Sequence, residues 1–176
     1  MQFRARNLWK RPLRGHSRHF SMLFQAEKKY ADEIAFKIKY RNEIVGIKYS
    51  KFIEDVKCLG SYLTNLNLTA KRIGIFSDNR YEWDVSYLAA ATANMIVVPV
   101  DKSLPEEEFK SLVNRAEIDV LIYDKKHLPF IEEQKKSSNN PIKHYIGMDD
   151  DFNQKIELGK IALGRKDNKY NKIKID

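Results

Sequence analysis

Apolar residues gather in four short runs along the middle of the chain: Ile73-Gly-Ile-Phe-Ser77, Met95-Ile-Val-Val-Pro-Val100, Asp119-Val-Leu-Ile-Tyr123 and His144-Tyr-Ile-Gly-Met148. Their centres lie about 23 to 24 residues apart, and each gap holds a segment of helical periodicity. A strand buried on both faces reads as a continuous apolar run, and the helix joining two such strands covers one face of the sheet. The pattern predicts an α/β fold, a parallel sheet with crossover helices in repeated strand–helix units. Ahead of it, residues 17–30 read as a helix with Phe20, Phe24 and Leu23 on one side. Ala35–Tyr40 and Ile44–Tyr49 alternate around Arg41-Asn-Glu43 as a β-hairpin. From Ser50 to about Leu66, Phe52, Val56, Leu59 and Leu63 recur at i, i+4, i+7 and i+11, the stripe of an amphipathic helix capped by Ser50.

The crossover helices are marked at their starts. Asn79 with Glu82, Ser103 with Glu106, and Asp151 with Gln154 each set a short polar residue three positions before a carboxylate or amide, which predicts reciprocal capping of backbone N–H groups. Ala89, Ala90, Ala91 and Ala93 predict that the helix of 81–93 approaches the sheet most closely. Amphipathic helices follow at 105–117 and 125–136. Residues 137–141 form a loop, since Pro141 disfavours helix before it. From Arg165 the chain is polar and lysine-rich, and a surface extension or a truncation stub is expected.

Composition adds bounds. The 176 residues are 43% hydrophobic, enough for one domain with a sizeable core. No apolar run approaches the ~20 residues a membrane helix needs. Cys58 is the single cysteine, at a helical position among apolar residues, and reads as a buried structural thiol. With no internal disulfide to form, the expected location is cytoplasmic. The net charge of +8 is concentrated at the start. Arg4, Arg6, Lys10, Arg11, Arg14 and Arg18 face no acid in the first twenty residues, leaving about +2 for the rest. Residues 1–16 are therefore expected to be a basic arm, solvated or locally docked, serving as an organelle presequence, or touching anionic membrane as a peripheral contact or CoA phosphate. No nucleic-acid motif accompanies it, so nucleic acid is not an expected partner.

The strand–helix join Ser77-Asp-Asn-Arg-Tyr-Glu-Trp83, the strand end Val97-Val-Pro-Val-Asp-Lys102, the segment Ser103-Leu-Pro-Glu-Glu-Glu108, then Asn114-Arg-Ala-Glu117, resemble in order and spacing the N-terminal region of adenylate-forming AMP-binding enzymes. The Asn-Arg-x-Glu-Trp signature is most similar to the long-chain fatty acyl-CoA synthetase branch, and Ile47-Lys-Tyr-Ser50 resembles its Ile-Thr-Tyr strand end. The resemblance covers roughly residues 17–148, and the remainder more loosely. Two departures stand out. Asn94 occupies a place where the family usually has Gly, a mild change because Asn adopts the left-handed conformation more readily than other non-Gly residues. The family's Thr/Ser/Gly-rich phosphate loop, later acidic ribose-binding residues and C-terminal catalytic Lys have no counterpart before Asp176.

Residues 17–176 are accordingly expected to be a partial N-terminal domain of the acyl-CoA synthetase fold, truncated before the phosphate loop. The resemblance implies that the parent enzyme is an AMP-forming fatty acid–CoA ligase, activating a long-chain acid with ATP and magnesium and passing it to CoA. The fragment alone is expected to bind none of these cofactors and to be inactive. Alternatives are a carrier-protein-loading adenylation enzyme and a stand-alone, noncatalytic interaction module. The missing remainder of the ligase is the implied partner, and its absence predicts exposed edges and a homodimer.

Candidate chemistry is sparse. Asn79, Arg80 and Trp83 border a substrate or CoA channel on the functional reading, and cap or pack a helix on the structural one. Lys102, Lys110 and Arg115 are candidates for CoA phosphate, implied by acetyl-CoA synthetase relatives, against a plain solvated helix face. Glu106, Glu107 and Glu108 point about 100° apart along a helix and suit its dipole better than acid–base work. His16 and His19 lack a third metal ligand and sit among arginines, while His127 and His144 are isolated, so no metal site is expected. The seven glycines never cluster, which excludes a Walker loop or dinucleotide fingerprint.

Overall fold

The computed structural model describes residues 16–173 other than 41 and 69, and of residues 16–20, 24 and 40 the backbone alone. The expected basic arm and the Phe20–Phe24 stack thus lie outside the described residues. Helix α1 (His16–Tyr30) leads into the antiparallel hairpin of β1 (Ile34–Tyr40) and β2 (Glu43–Lys48), then α2 (Tyr49–Thr64). The repeated units follow as β3 (Arg72–Phe76), α3 (Tyr81–Thr92), β4 (Ile96–Pro99), α4 (Glu106–Ala116) and β5 (Val120–Tyr123). A 3-10 turn at Lys125–His127, α5 (Leu128–Lys135), β6 (His144–Gly147) and α6 (Phe152–Leu163) complete the series. All four runs pair in parallel, in the order β4-β3-β5-β6.

Alternation along the strands divides the core in two. Ile73, Ile75, Val120 and Ile122 pack with Val56, Leu59, Ala89, Ala90 and Ile156 from α2, α3 and α6. Phe76, Leu121 and Tyr123 point the other way, against Phe109 and Val113 of α4 and Ile131 of α5. The sheet is covered on both faces, as parallel strands require. Cys58 is buried in the first cluster, and desolvation, with Glu54 and Asp55 nearby, pushes its thiol up to about 11.

The expected capping boxes do not form. Arg80, extended at φ −156°, takes the N-cap of α3 one residue after Asn79, and Glu82 turns to the Arg80 guanidinium at 2.6 Å. Ser103 donates to the Asp101 carboxylate, leaving Pro105 as the N-cap of α4. Asp151 does precede α6, but makes no side-chain cap. Ser50 lies inside α2, whose first N–H groups are met by backbone carbonyls: Tyr49 donates to Glu33 and Ser50 to Ala31, both at 3.0 Å. Main-chain oxygens delivered by the preceding turn make a hydroxyl cap unnecessary.

Asn94 stands at φ 57°, the left-handed position that closes α3. The tail after α6 corrects the expectation of a polar surface extension. Tyr170 is buried, its ring lies over Gly60, and its hydroxyl donates to Thr92 Oγ1 at 2.9 Å. Asn168 is buried beside it and donates to Ser61 Oγ at 2.7 Å. The surrounding lysines masked a single anchoring aromatic.

Candidate functional site

The chain leaves β3 toward one edge of the sheet and β5 toward the other, so the crevice beyond their carboxyl ends is the topological switch point where open α/β sheets bind ligands. Here the sequence repeats a device. Each apolar run is followed by an aspartate: Asp78, Asp101, Asp124 and Asp149. Asp124 accepts the backbone N–H of Asp78 at 3.0 Å, tying the β5 loop to the β3 loop across the crevice. Its other oxygen meets His127 Nδ1 at 2.6 Å, and the imidazole lies against Phe76 with ring centroids 4.1 Å apart. Asp149 accepts from Arg80 Nη1 and from the backbone N–H of Lys125, both at 2.7 Å. Burial alone would raise the Asp149 carboxyl. Arg80 and the Lys125 N–H outweigh it and hold the group below its usual range.

Asp78 receives both Lys102 and Lys126, from the loops after β4 and β5. Those two hydrogen bonds draw its carboxyl down to about 2. Asp101 stands on the same wall, so Lys102 and Lys126 are balanced by Asp78 and Asp101 at the mouth of an open cleft of about 590 Å³. Asp78, Asn79, Trp83, Pro99, Asp101 and Lys102 line it. Trp83 is also stacked on Tyr87 at 5.4 Å and 13°, one turn along α3. Below the rim, Tyr81 donates to Asp55 at 2.8 Å, and Asp55 also takes Lys51 at 2.5 Å, fixing the start of α3 to α2.

The structure thus gathers Asn79, Trp83 and Lys102 at one cleft. Arg80 is held beside it by Glu82 and Asp149. Lys110 is engaged by Glu106 at 2.7 Å and Glu107 at 3.1 Å on its own helix, and Arg115 lines a separate depression with Leu104 and Glu108. Asp78, Asp124, Asp149 and Lys126 were not singled out by sequence reasoning, although an acid after each run was there to be read, and His127, read as isolated, meets Asp124. The acids of the rim are all occupied by cations or backbone N–H groups. No glycine among the described residues has positive φ, so the rim offers no tight backbone wrap for a triphosphate. The described residues also contain no group of three metal-ligating side chains and no helix long and apolar enough to cross a membrane.

A family model described as AMP-binding enzyme matches residues 23–173. The chain belongs to the AMP-binding enzyme family. Long-chain-fatty-acid–CoA ligase 5 of Rattus norvegicus is 35% identical over 108 residues, covering 58% of this chain and 16% of that protein. The chain therefore spans a small part of the length of the curated relatives it matches. Among solved structures, the inhibitor-bound N-terminal domain of FACL13 from Mycobacterium tuberculosis superposes with a TM-score of 0.70 at 19% identity, over 79% of this chain and 35% of that one. A Mycobacterium tuberculosis fatty acyl CoA synthetase gives 0.71 at 18% identity, over 81% and 28%. At these identities the likeness shows a shared fold. The parallel sheet and its helices are part of the acyl-CoA synthetase N-terminal architecture.

Proposed function

We propose that this chain is the leading portion of an AMP-forming acyl-CoA ligase for a long-chain fatty acid, and that it acts as scaffold. The observation that carries the reading is the family match across residues 23–173, on a sheet whose carboxyl edge is open. The named activity of the rat relative supports a fatty-acid substrate. In such a ligase the carboxylate attacks the α-phosphorus of ATP, releasing pyrophosphate, and the CoA thiol then displaces AMP. ATP with magnesium supplies the activation, since AMP leaves far more readily than hydroxide. Residues of this chain are given no chemical step: its rim carboxylates are already bound, and no glycine among the described residues takes the positive φ of a phosphate-wrapping loop. Asn79, Arg80 and Trp83 are proposed to border the acyl or CoA channel. Lys102 is paired with Asp78 as Lys110 is with Glu106 and Glu107, and Arg115 lines a separate depression, so none of the three is assigned a CoA phosphate.

The test is pyrophosphate release by the full-length gene product with ATP, magnesium and a series of fatty acids, beside residues 1–176 alone. Fatty-acid-dependent release by the full-length product and none by the fragment is expected. No release with any acid, or release with an amino acid in place of a fatty acid, overturns the reading. Self-association belongs to the same proposal, because Ile96 on edge strand β4 and Leu158 and Ile161 on α6 are left exposed. Light scattering of residues 1–176 is expected to give a mass near twice 20.7 kDa. A monomer across a wide concentration range counts against it.

A further inference from the structure

The outer face of the β1–β2 hairpin has a composition that neither the sheet nor the cleft explains. Phe36 pairs with Ile47 and Ile38 with Val45, whereas Lys37 pairs with Gly46 and Lys39 with Ile44. Directly opposed residues share a face and successive ones alternate. Phe36 touches Phe52 and Tyr81 at centroid distances of 4.8 and 5.4 Å, so its face is turned inward. Lys37, Lys39 and Ile44 are therefore on the outside. The register irregularity between Ile34 and Phe36 brings Ile34 to that side too, its side chain lying over Gly46.

Ile44 is 74% exposed and Ile34 47%. Lys37 and Lys39 are exposed beside them, and neither has an ion pair among the described residues. Lys48 at the base pairs with the highly exposed Asp32 at 3.0 Å. Glu43, opposite Tyr40, belongs to the inner register. The outer face thus joins two bare isoleucines to a row of lysines, with no carboxylate of its own strands among them.

A soluble polyanion answers the lysines and leaves the isoleucines in water. A protein surface answers both only if it sets carboxylates beside an apolar patch. An anionic bilayer answers both, because ammonium groups reach lipid phosphates while their stems and the isoleucines enter the acyl boundary. We propose that the outer face of the β1–β2 hairpin docks this protein on anionic lipid bilayers. The contact is separate from any made by the basic arm, and it does not depend on which acid the enzyme activates.

The experiment is co-sedimentation of the full-length gene product with vesicles of phosphatidylcholine alone and of phosphatidylcholine mixed with phosphatidylserine. Three proteins are compared: wild type, the double variant Lys37→Gln/Lys39→Gln, and Ile44→Ser. These positions are exposed, and an unchanged urea midpoint verifies that each variant folds. Binding to the mixed vesicles is expected to weaken by about 25-fold in the lysine variant, from the usual attraction of a basic side chain to an anionic leaflet. Ile44→Ser is expected to weaken it by roughly tenfold, from the lost apolar burial. Wild-type binding in both variants overturns the proposal and assigns membrane contact, if present, to the arm or another surface. Loss in the lysine variant with none in Ile44→Ser also overturns it, since that is the response of a polyanion site.

Discussion

Gly159→Ala is expected to be the most damaging single-methyl change in the chain, lowering stability by about 3 kcal/mol, near the upper end of usual overpacking costs. A Cβ at this position of α6 would lie 1.9 Å from the carbonyl oxygen of Cys58 and 2.6 Å from its carbonyl carbon. Both atoms are backbone of α2, so no rotamer change relieves the clash and the two helices must separate. Alanine in a helix regains about 1 kcal/mol of propensity over glycine, which does not offset that separation. With an m-value of about 2 kcal/mol/M for a domain of this size, the urea midpoint should fall by roughly 1.5 M. Gly164→Ala is the control: its nearest contacts are 3.7 and 3.9 Å away and its backbone is right-handed. If the two variants unfold at the same midpoint, α2 and α6 do not cross as closely as described.

Asp119→Ala is expected to cost about 3 kcal/mol, on the scale of losing more than one hydrogen bond to a charged group. One buried carboxylate oxygen accepts the N–H groups of Ala70 and Lys71, both at 2.7 Å, and the other faces Lys143 at 3.2 Å. Lys71 stands at φ 54°, so the carboxylate clamps a left-handed turn at the entrance to β3. Its own main chain bonds to Arg72 on one side and to Lys143 and His144 on the other. Burial by itself would raise this carboxyl; Lys143 and the two N–H groups prevail and leave it lowered. A carboxylate depressed in the folded state contributes its full stabilisation above the unfolded value near 4 and loses it as pH falls through the folded value. The gap between wild type and Asp119→Ala should therefore be constant near neutral pH and close below about pH 4. A gap that persists unchanged into stronger acid would mean that the charge contributes nothing.

The strands were legible because nothing competes with their signal. Runs such as Val120–Tyr123 are buried on both faces, and burial leaves composition as the whole message. Helix bodies were legible for a similar reason, the stripe of Phe52, Val56, Leu59 and Leu63 being fixed by packing. Starts and clamps were harder to see. Asn79 and Glu82 satisfy the spacing of a capping box, yet Glu82 takes the Arg80 guanidinium two residues before it, and Arg80 is held in turn by Asp149, sixty-nine residues on. The candidate site suffered most from this distance effect. Asp78, Lys102 and Lys126 come from three separate loops, and only the strand order reveals that the loops adjoin. Tyr170 failed to register because one aromatic among lysines has no period, and its partner is the bare space over Gly60.

Strand β4 closes one side of the four-stranded sheet and β6 the other. Suppose a second molecule extended the sheet with every strand keeping its direction. Its β6 would then lie on the first molecule's β4, both outer margins would survive, and a third molecule could follow without end. Joining β4 to β4 about a dyad instead runs the two strands in opposite senses and consumes both margins of that kind at once. The four-residue length of β4 and the missing amide hydrogen of Pro99 weaken either form of growth. The dyad survives that handicap better, since a finite pair needs one such seam and a fibre needs one for every molecule added.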